Sequence, residues 1–130
     1  MKALLVDDCM ITRELLAVAL EGRAVVEHAE NGREALERFG QALGASEPYD
    51  LVCLDLNMPE MGGHATLKAL REAEEKAAAG SRATVFMITA SSDPEDMVEA
   101  LMVGGCDDYL TKPVMSKTFH AMLKKHGLID

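Results

Sequence analysis

The chain has few cysteines, and their spacing excludes the sites that cysteines most often form. Three occur, Cys9, Cys53 and Cys106, and none belongs to a Cys-x-x-Cys pair. An odd number without that spacing argues against a disulfide framework and against a metal site built from thiolates. We therefore expect free thiols. Cys53 lies within an apolar run, whereas Cys9 stands at a predicted helix start, where the helix dipole and neighbouring carboxylates act on its pKa in opposite directions.

Long hydrophobic runs, a signal peptide and an excess of positive charge are also missing. No apolar run approaches the roughly 18 residues of a membrane-spanning helix, and the chain enters its first apolar segment at once. The 22 Asp and Glu outnumber the 13 Lys and Arg, and the net charge of -9 repels nucleic acid and anionic lipid. We expect a cytoplasmic protein that binds neither nucleic acid nor membranes.

The length of 130 residues fits one domain, which would bury roughly two-thirds of the surface of the unfolded chain. Lys124 and Lys125 place cations in the last turn of the final predicted helix, and Gly127 marks its end. We therefore expect a single domain over residues 1–130, without an output domain.

Five short apolar runs alternate with stretches that have one apolar helical face. Runs of this length, separated by amphipathic segments, are typical of buried strands in a parallel α/β sheet. We predict strands over residues 2–6, 24–29, 51–54, 84–88 and 108–110. The apolar faces of three helices are predicted from residues spaced three or four apart: Ile11, Leu15 and Val18; Leu36, Phe39 and Leu43; Phe119, Met122 and Leu123. The fold class is therefore α/β, a doubly wound parallel sheet with helices on both faces.

Two helix starts carry recognisable capping residues. Asn31 and Glu34 have the spacing of a capping box. Asp93 followed by Pro94 supplies an N-cap and a first-turn proline. These signals predict helices that begin directly after residues 31 and 93.

Three segments and two histidines have ordinary surface interpretations. Small and polar residues in 43–50 and 77–82 predict surface loops. The charge-dense stretch 71–76 is typical of a solvated helix face with charge pairs at helical spacing. His64 and His120 are also expected at the surface, because lone histidines on helices are weak candidates for catalysis or metal binding.

Reactive side chains follow four of the predicted strands. Asp7 and Asp8 follow the first strand, Asp55 the third and Thr89 the fourth, and Lys112 lies just after the fifth. Parallel strands share one carboxyl edge, where ligands of open α/β sheets bind, so these five side chains are expected to converge on one site. Three crowded carboxylates repel one another unless a cation lies among them, and hard oxygen ligands beside a phosphoryl group favour Mg²⁺.

The chemistry of these side chains suits phosphoryl transfer. Asp55 would act as a carboxylate nucleophile, Thr89 would donate a hydrogen bond to a phosphoryl oxygen, and Lys112 would neutralise the growing negative charge. The sequence thus predicts a site for a divalent cation and a phosphoryl group.

These residues lie within motifs that resemble the receiver domains of two-component response regulators, especially the stand-alone chemotaxis (CheY-like) type. The resemblance covers the whole chain. The motifs are Asp7-Asp8, Leu54-Asp55-Leu-Asn-Met-Pro59 followed by Gly62-Gly63, Thr89-Ala90, and Tyr109-Leu-Thr-Lys112-Pro113. The resemblance implies a five-stranded sheet in the order 2-1-3-4-5, which flavodoxin and the chemotaxis receiver share.

The resemblance also implies a role for each acidic residue of the site. Asp55 is the implied phosphoacceptor. Asp8, Asp55 and the backbone carbonyl of Asn57 are the implied direct Mg²⁺ ligands. Asp7 is the implied acid that reaches the ion mainly through water.

The remaining motif residues are implied to sense the phosphoryl group and pass on its presence. Thr89 and Lys112 match the sensing pair, and Tyr109 matches the aromatic side chain that moves inward when Thr89 shifts. The resemblance further implies that the peptide bond between Lys112 and Pro113 is cis. Such a switch would favour one of two packings of the surface formed by the fourth helix, fifth strand and fifth helix.

The implied partners are proteins. A sensor histidine kinase or a histidine phosphotransfer protein would donate the phosphoryl group, and a downstream protein would bind the switched surface. The chain would be a signalling phosphoacceptor, not a metabolic enzyme, and either a monomer or a weak, phosphorylation-dependent dimer.

Three other interpretations share part of this pattern. Haloacid-dehalogenase-like phosphatases also use an aspartyl nucleophile, Mg²⁺, a hydroxyl and a lysine, but they resemble Asp-x-Asp at the nucleophile, where this chain has Asp55-Leu-Asn57. Flavodoxin-like electron carriers share the strand order, yet this chain has no hydroxyl-rich phosphate loop after the first strand and no tryptophan. A third interpretation is an interaction module that has lost phosphorylation, although every motif residue is present.

Overall fold

Strands and helices alternate strictly in the computed structural model, which describes residues 1–77, 80 and 82–130. The elements are β1 (Lys2–Val6), α1 (Met10–Ala19), β2 (Val25–Ala29), α2 (Gly32–Gly44), β3 (Leu51–Leu54), α3 (Gly63–Lys76), β4 (Thr84–Thr89), α4 (Pro94–Val98), a π-helix (Glu99–Gly104) that continues α4, β5 (Asp108–Thr111) and α5 (Ser116–Lys125). The predicted loop at 77–82 includes Ala78, Ala79 and Ser81, which lie outside the described residues.

The five strands form one parallel sheet in the order β2-β1-β3-β4-β5, which confirms the predicted fold class and strand order. The strands match the predicted segments to within one residue at each end. The prediction succeeded because β1, β3 and β4 are covered on both faces, so nearly all of their residues had to be apolar.

Alternate side chains of each strand enter two separate cores. One core packs Leu4, Val52 and Val85 against α2 and α3, with Phe39 at its centre. The other packs Leu5, Cys53 and Phe86 against α1 and α5. The buried residues of α5 are Phe119, Met122 and Leu123, as predicted.

The predicted apolar face of α1 is wrong. Ile11, Leu15 and Val18 are 69%, 55% and 66% exposed, while Leu16 and Leu20 face the sheet. The helix carries apolar residues on two opposite sides, and spacing alone could not tell which side packs. Periodicity favoured the row of Ile11, Leu15 and Val18, because Arg13 interrupts the row that contains Leu16 and Leu20. Arg13 is nonetheless buried, with Nη2 3.9 Å from Glu30 Oε1.

The predicted capping residues occupy their positions. Asn31 Oδ1 accepts a hydrogen bond of 2.8 Å from the backbone N–H of Glu34, and Asp93 Oδ1 accepts one of 3.0 Å from the N–H of Glu95. The π-helix that follows α4 ends at Gly105, whose φ of 80° is a left-handed conformation that glycine adopts without strain.

The charged stretch at the end of α3 is only partly a solvated face. Arg71 is half-buried and donates hydrogen bonds to the carbonyls of Gly105 (2.9 Å from Nη2) and Ala83 (2.8 Å from Nη1). Glu74 is buried and accepts the backbone N–H of Ala83 at 2.7 Å. These two side chains form hydrogen bonds with backbone groups of the loops that precede β4 and β5. The local spacing of charges in the sequence could not reveal these contacts.

The three cysteines form no disulfide among the described residues. Cys53 and Cys106 are buried, and burial raises the pKa of the Cys106 thiol to about 11. Cys9 is exposed, and hydrogen bonds from the backbone and side chain of Thr12 lower its pKa. Of the helices that the structure describes, none has the length and hydrophobicity that crossing a membrane requires.

Candidate functional site

The carboxyl edge of the sheet brings the predicted site residues together. Asp7 and Asp55 immediately follow β1 and β3, which are neighbours in the sheet. The backbone N–H of Asp55 donates to the Val6 carbonyl at 3.0 Å, and that of Asp7 donates to the Ala29 carbonyl at 3.1 Å. The sheet hydrogen bonds therefore fix the positions of both aspartates.

Asp7, Asp8 and Asp55 form an acidic cluster. Each offers one carboxylate oxygen, and these three oxygens lie within 4.8 Å of one another. Asp7 and Asp55 are buried, with 2% and 5% of their surface exposed, whereas Asp8 is exposed. Burial and the nearby charge of Asp7 raise the pKa of Asp55. The folded chain therefore holds Asp55 where its negative charge is unfavourable in the absence of a cation.

Lys112 supplies the ammonium group opposite this cluster. Its Nζ lies 2.8 Å from Asp7 Oδ2 and 3.6 Å from Asp55 Oδ2. Its backbone N–H donates to the Thr89 carbonyl at 2.8 Å, and the following bond to Pro113 is cis, as the family resemblance implied. Burial alone would lower the pKa of Lys112, but the hydrogen bond to Asp7 and the charges of Asp55 and Asp7 outweigh it and raise that pKa.

The two aspartates after β1 have different surroundings. Both carboxylate oxygens of Asp7 are engaged, since Oδ1 accepts the Cys9 N–H at 2.8 Å and Oδ2 contacts Lys112. Asp8 has no such contact among the described residues and is exposed, with one carboxylate oxygen within 4.8 Å of Asp55. The exposed Asp8 and the buried Asp55 fit Mg²⁺, an ion that takes only one or two carboxylates from a protein and keeps several waters.

Asn57 and Thr89 border Asp55 on the side of β4. The Asn57 backbone N–H donates to Asp55 Oδ1 at 3.3 Å, and its Nδ2 lies 3.4 Å from Thr89 Oγ1. Thr89 is fully buried, and its Oγ1 also accepts the Ser91 N–H at 3.3 Å. The Thr89 hydroxyl thus connects the edge of the sheet with the loop that leads to α4.

Tyr109 is half-buried on β5 and contacts the same loop. Its hydroxyl donates to the carbonyl of Ser91 at 3.0 Å. Ser91 therefore has contacts with both Thr89 and Tyr109, the two residues that the resemblance implied as a switch.

The turn before α3 packs directly against the backbone of Asp55. The Gly63 N–H donates to the Leu56 carbonyl at 2.8 Å, and a Cβ at Gly63 would lie 2.5 Å from the Asp55 carbonyl oxygen. Only glycine permits this approach. Gly62-Gly63 formed part of the quoted motif, but the spacing alone did not indicate which backbone the glycine approaches.

The two histidines that were expected at the surface are half-buried. His120 Nε2 lies 2.9 Å from the Ala19 carbonyl oxygen, in the contact between α5 and α1. The side chain of His64, on α3, lies beside Asp96 of α4 and Glu99 of its continuation. The surface prediction is wrong for both, because contacts between helices distant in sequence leave no local pattern.

Comparison with known proteins agrees with this geometry. Residues 3–124 match the model of the response regulator receiver domain. The two-component response regulator ORR41 of rice is 36% identical over 132 residues, an alignment that covers 98% of this chain and 94% of that protein. Other curated relatives are longer, and the chain spans 48%, 7% and 45% of three of them.

Solved structures show the same fold. The chemotaxis protein CheY4 of Vibrio cholerae has a TM-score of 0.79 and 29% identity, with 95% of this chain and 96% of that chain covered. The receiver domain of the Arabidopsis thaliana histidine kinase CKI1, solved with Mg²⁺ and BeF₃⁻, has a TM-score of 0.79, 23% identity and coverage of 95% and 89%. From its sequence match, its sheet order and the residues at its carboxyl edge, the chain belongs to the family of response regulator receiver domains of two-component systems.

Proposed function

We propose that this chain accepts a phosphoryl group from a phosphorylated histidine of a partner protein onto Asp55, in the presence of Mg²⁺. Phosphoacceptance is general to the family. The observation that carries the proposal for this chain is the arrangement around Asp55. A buried carboxylate at the end of a central strand has two neighbours: the accessible carboxylate of Asp8, with an oxygen within 4.8 Å, and the Lys112 ammonium at 3.6 Å.

The arrangement suits an in-line displacement at phosphorus. An Asp55 carboxylate oxygen forms the new O–P bond while the N–P bond to the partner imidazole breaks, and the departing imidazole keeps the electron pair and takes up a proton. Lys112 lies close enough to stabilise the charge on the transferred group, and the Asn57 N–H already contacts the attacking carboxylate. Bound Mg²⁺ would supply charge neutralisation between the carboxylates and the phosphoryl oxygens. Asp8 and Asp55 would hold it directly together with the backbone carbonyl of Asn57, and Asp7, already engaged by Lys112, through water.

The experiment that tests this function uses a small phosphodonor. The wild-type chain is incubated with acetyl phosphate and Mg²⁺, and its intact mass is measured. We expect the added mass of one phosphoryl group, which is lost again as water hydrolyses the acyl phosphate once the acetyl phosphate has been removed. No mass increase over several hours, in a chain that is folded by circular dichroism, would contradict the proposal.

The exposed apolar row on α1 is a candidate surface for the phosphodonor. Receiver domains act with histidine kinases. Ile11, Leu15 and Val18 form a solvent-facing row on the helix that starts directly after Asp8 and Cys9. Ile11 lies three residues after Asp8, so a partner helix that rests on this row lies near the phosphorylation site. We infer that the occupant is such a helix of a kinase or phosphotransfer protein, bound through its own apolar face.

Leu15→Glu should therefore slow phosphoryl transfer from a histidine kinase but not from acetyl phosphate. A charge in the centre of an apolar interface costs at least about 1 kcal/mol of binding, which is roughly a fivefold loss. The measurement compares initial phosphorylation rates with a purified kinase that phosphorylates the wild-type chain. Val25→Glu is the matched control, since Val25 is 67% exposed at the amino edge of the sheet. Equal kinase rates for Leu15→Glu and the wild type would exclude the α1 row.

The output surface is proposed to include α4, β5 and α5. In the present state Tyr109 holds the Ser91 carbonyl, and Thr89 accepts the N–H of the same residue. A shift of the Thr89 hydroxyl toward a phosphoryl group on Asp55 would break this contact and change the loop before α4. The helical segment after that loop exposes Val98, Met102 and Val103, which are 57%, 80% and 80% exposed. A downstream protein with an apolar contact surface fits this segment.

Beryllofluoride, a phosphoryl mimic, should reveal that route in backbone amide spectra. We expect shifts in the loops around Asp8 and Asp55 that continue to Ser91, residues 93–102 and Tyr109. In Tyr109→Ala the shifts in the loops around Asp8 and Asp55 should remain, while those at Ser91 and residues 93–102 should shrink, because the hydrogen bond from the Tyr109 hydroxyl to the Ser91 carbonyl is gone. Tyr49→Phe, which changes the other tyrosine, should respond like the wild type. Shifts confined to the loops in the wild type would contradict the switch.

We also propose that this domain does not bind DNA directly. Its net charge of -9 opposes direct contact with DNA.

A further inference from the structure

A second group of potential metal ligands joins α3 to α4. It consists of His64, at the second position of α3, and the two acids Asp96 and Glu99, which lie three residues apart on one face of α4 and its continuation. The His64 ring nitrogen and one oxygen of each carboxylate lie within 4.8 Å of one another. None of these residues belongs to the phosphorylation site, whereas Asp96 and Glu99 lie on the helical segment of the proposed output surface.

The distances in this group match the spacing of ligands around one metal ion. His64 Nε2 lies 3.0 Å from Glu99 Oε2 and 3.5 Å from Asp96 Oδ1. Ligands that each bind a tetrahedral Zn²⁺ at about 2.0 to 2.1 Å lie about 3.3 Å from one another. The two observed distances lie on either side of that value.

The direction of the imidazole supports the same interpretation. Both ring nitrogens of His64 are shielded from solvent, yet neither forms a hydrogen bond with any residue that the structure describes. Glu99 Oε2 is near enough to Nε2 for a hydrogen bond but lies off the axis of its N–H or lone pair. Around a tetrahedral ion, the other ligands lie off the axis of the nitrogen lone pair in this way, because that axis points to the metal itself.

The surroundings hold the ligands in place and leave room for water. Asp96 Oδ2 accepts a hydrogen bond of 2.8 Å from the Ser91 hydroxyl, which leaves Oδ1 directed at His64. Such a supporting hydrogen bond to a carboxylate ligand is common at metal sites. His64 and Glu99 also line a cavity of about 340 Å³ with Val103 and Gly104, so a water molecule can complete the coordination.

We propose that His64, Asp96 and Glu99 form a second divalent metal site, of the Zn²⁺ type, that links α3 to α4. An imidazole nitrogen selects borderline transition-metal ions over Mg²⁺, which prefers oxygen ligands. Two carboxylates and a neutral imidazole also balance the charge of one divalent ion. A bound ion would restrain α4 through Asp96 and Ser91, the residue whose carbonyl Tyr109 contacts.

Calorimetric titration of the full chain with Zn²⁺, in saturating Mg²⁺ and without chelator, tests this site. Saturating Mg²⁺ occupies the acidic cluster at Asp55, so the remaining Zn²⁺ binding reports the second site. We expect one Zn²⁺ per chain. His64→Gln and Glu99→Gln should each weaken binding by at least about tenfold, since even the loss of a supporting residue costs that much.

Three controls separate this site from other Zn²⁺ ligands on the chain. His120→Gln changes a histidine on a different helix, and Cys9→Ser removes the exposed thiol. Asp8→Ala removes one carboxylate from the acidic cluster. Each should bind Zn²⁺ as the wild type does. Glu99 is half-exposed, so Glu99→Gln remains informative if His64→Gln does not fold. No stoichiometric binding, binding unaffected by both test variants, or binding lost in a control variant would each overturn the proposal. In that event the three side chains are only a contact between an imidazole and two carboxylates.

Discussion

Asp55→Asn should abolish phosphoryl uptake while leaving the fold intact. The amide is nearly isosteric with the carboxylate, but its oxygen carries no negative charge and is a far weaker nucleophile. After incubation with acetyl phosphate and Mg²⁺, the intact mass of the variant should stay unchanged under conditions that label the wild type. Because the substitution also removes a buried carboxylate with a raised pKa, the variant should unfold at the same temperature as the Mg²⁺-free wild type or above it.

Asp50→Asn is the matched control for that experiment. Asp50 and Asp55 flank the two ends of β3, so the same substitution is made on the same strand at opposite edges of the sheet. Asp50 accepts the Lys2 N–H, an interaction that asparagine can keep. The control should take up one phosphoryl group. Undiminished labelling of Asp55→Asn would mean that another side chain is the acceptor.

Mg²⁺ should stabilise the wild-type chain strongly, and Asp8→Ala should remove this response. The native cluster holds three carboxylates against one lysine, and a ligand that binds only the folded state stabilises it by mass action. At about 100 times its dissociation constant, Mg²⁺ should add roughly 2.7 kcal/mol to the free energy of unfolding. The measurement is urea unfolding across a Mg²⁺ titration. Without Mg²⁺, the Asp8→Ala variant should be at least as stable as the wild type, since one repelling charge is gone.

The sign of the Asp55 titration agrees with this expectation. Its pKa is raised in the folded state, so the folded chain binds the proton more tightly than the unfolded chain. Deprotonation of Asp55 therefore reduces the free energy of unfolding as the pH rises from the unfolded pKa toward the raised value.

Glu14→Ala, at an exposed acid of α1, is the control for the Mg²⁺ titration and should keep the Mg²⁺ response of the wild type. An unfolding free energy that does not change with Mg²⁺ would refute the metal site at Asp55.

The sequence predicted the sheet well because its pattern reflects a simple physical constraint. Parallel strands covered on both faces must be apolar at almost every position, as Leu51 to Leu54 show, and such runs are distinct from the helices around them. Once the strands were predicted, their carboxyl ends were known as well. Those ends place five residues at one edge of the sheet: Asp7, Asp8, Asp55, Thr89 and Lys112. The cap residues Asn31 and Asp93 were predictable for the same reason, since capping depends on neighbours within one turn.

The features that the sequence did not predict depend on contacts between distant elements. Two apolar rows compete on α1, and only the packing of Leu16 and Leu20 against the sheet decides between them. Arg71 bonds to carbonyls 12 and 34 residues away, although its neighbours in the sequence suggested a solvated face. His64 meets Asp96 and Glu99 only because α3 and α4 are adjacent in space.

The position of Lys112 after the last strand has a consequence for the order in which the site forms during synthesis and folding. Asp7, Asp8 and Asp55 are synthesised before Lys112, and β5 lies at an edge of the sheet, where its strand partner among the described residues is β4. A copy in which β5 has not yet docked has Asp55 without the Lys112 ammonium beside it. We therefore expect the Lys112 contacts with Asp7 and Asp55 to form only after β5 has paired with β4.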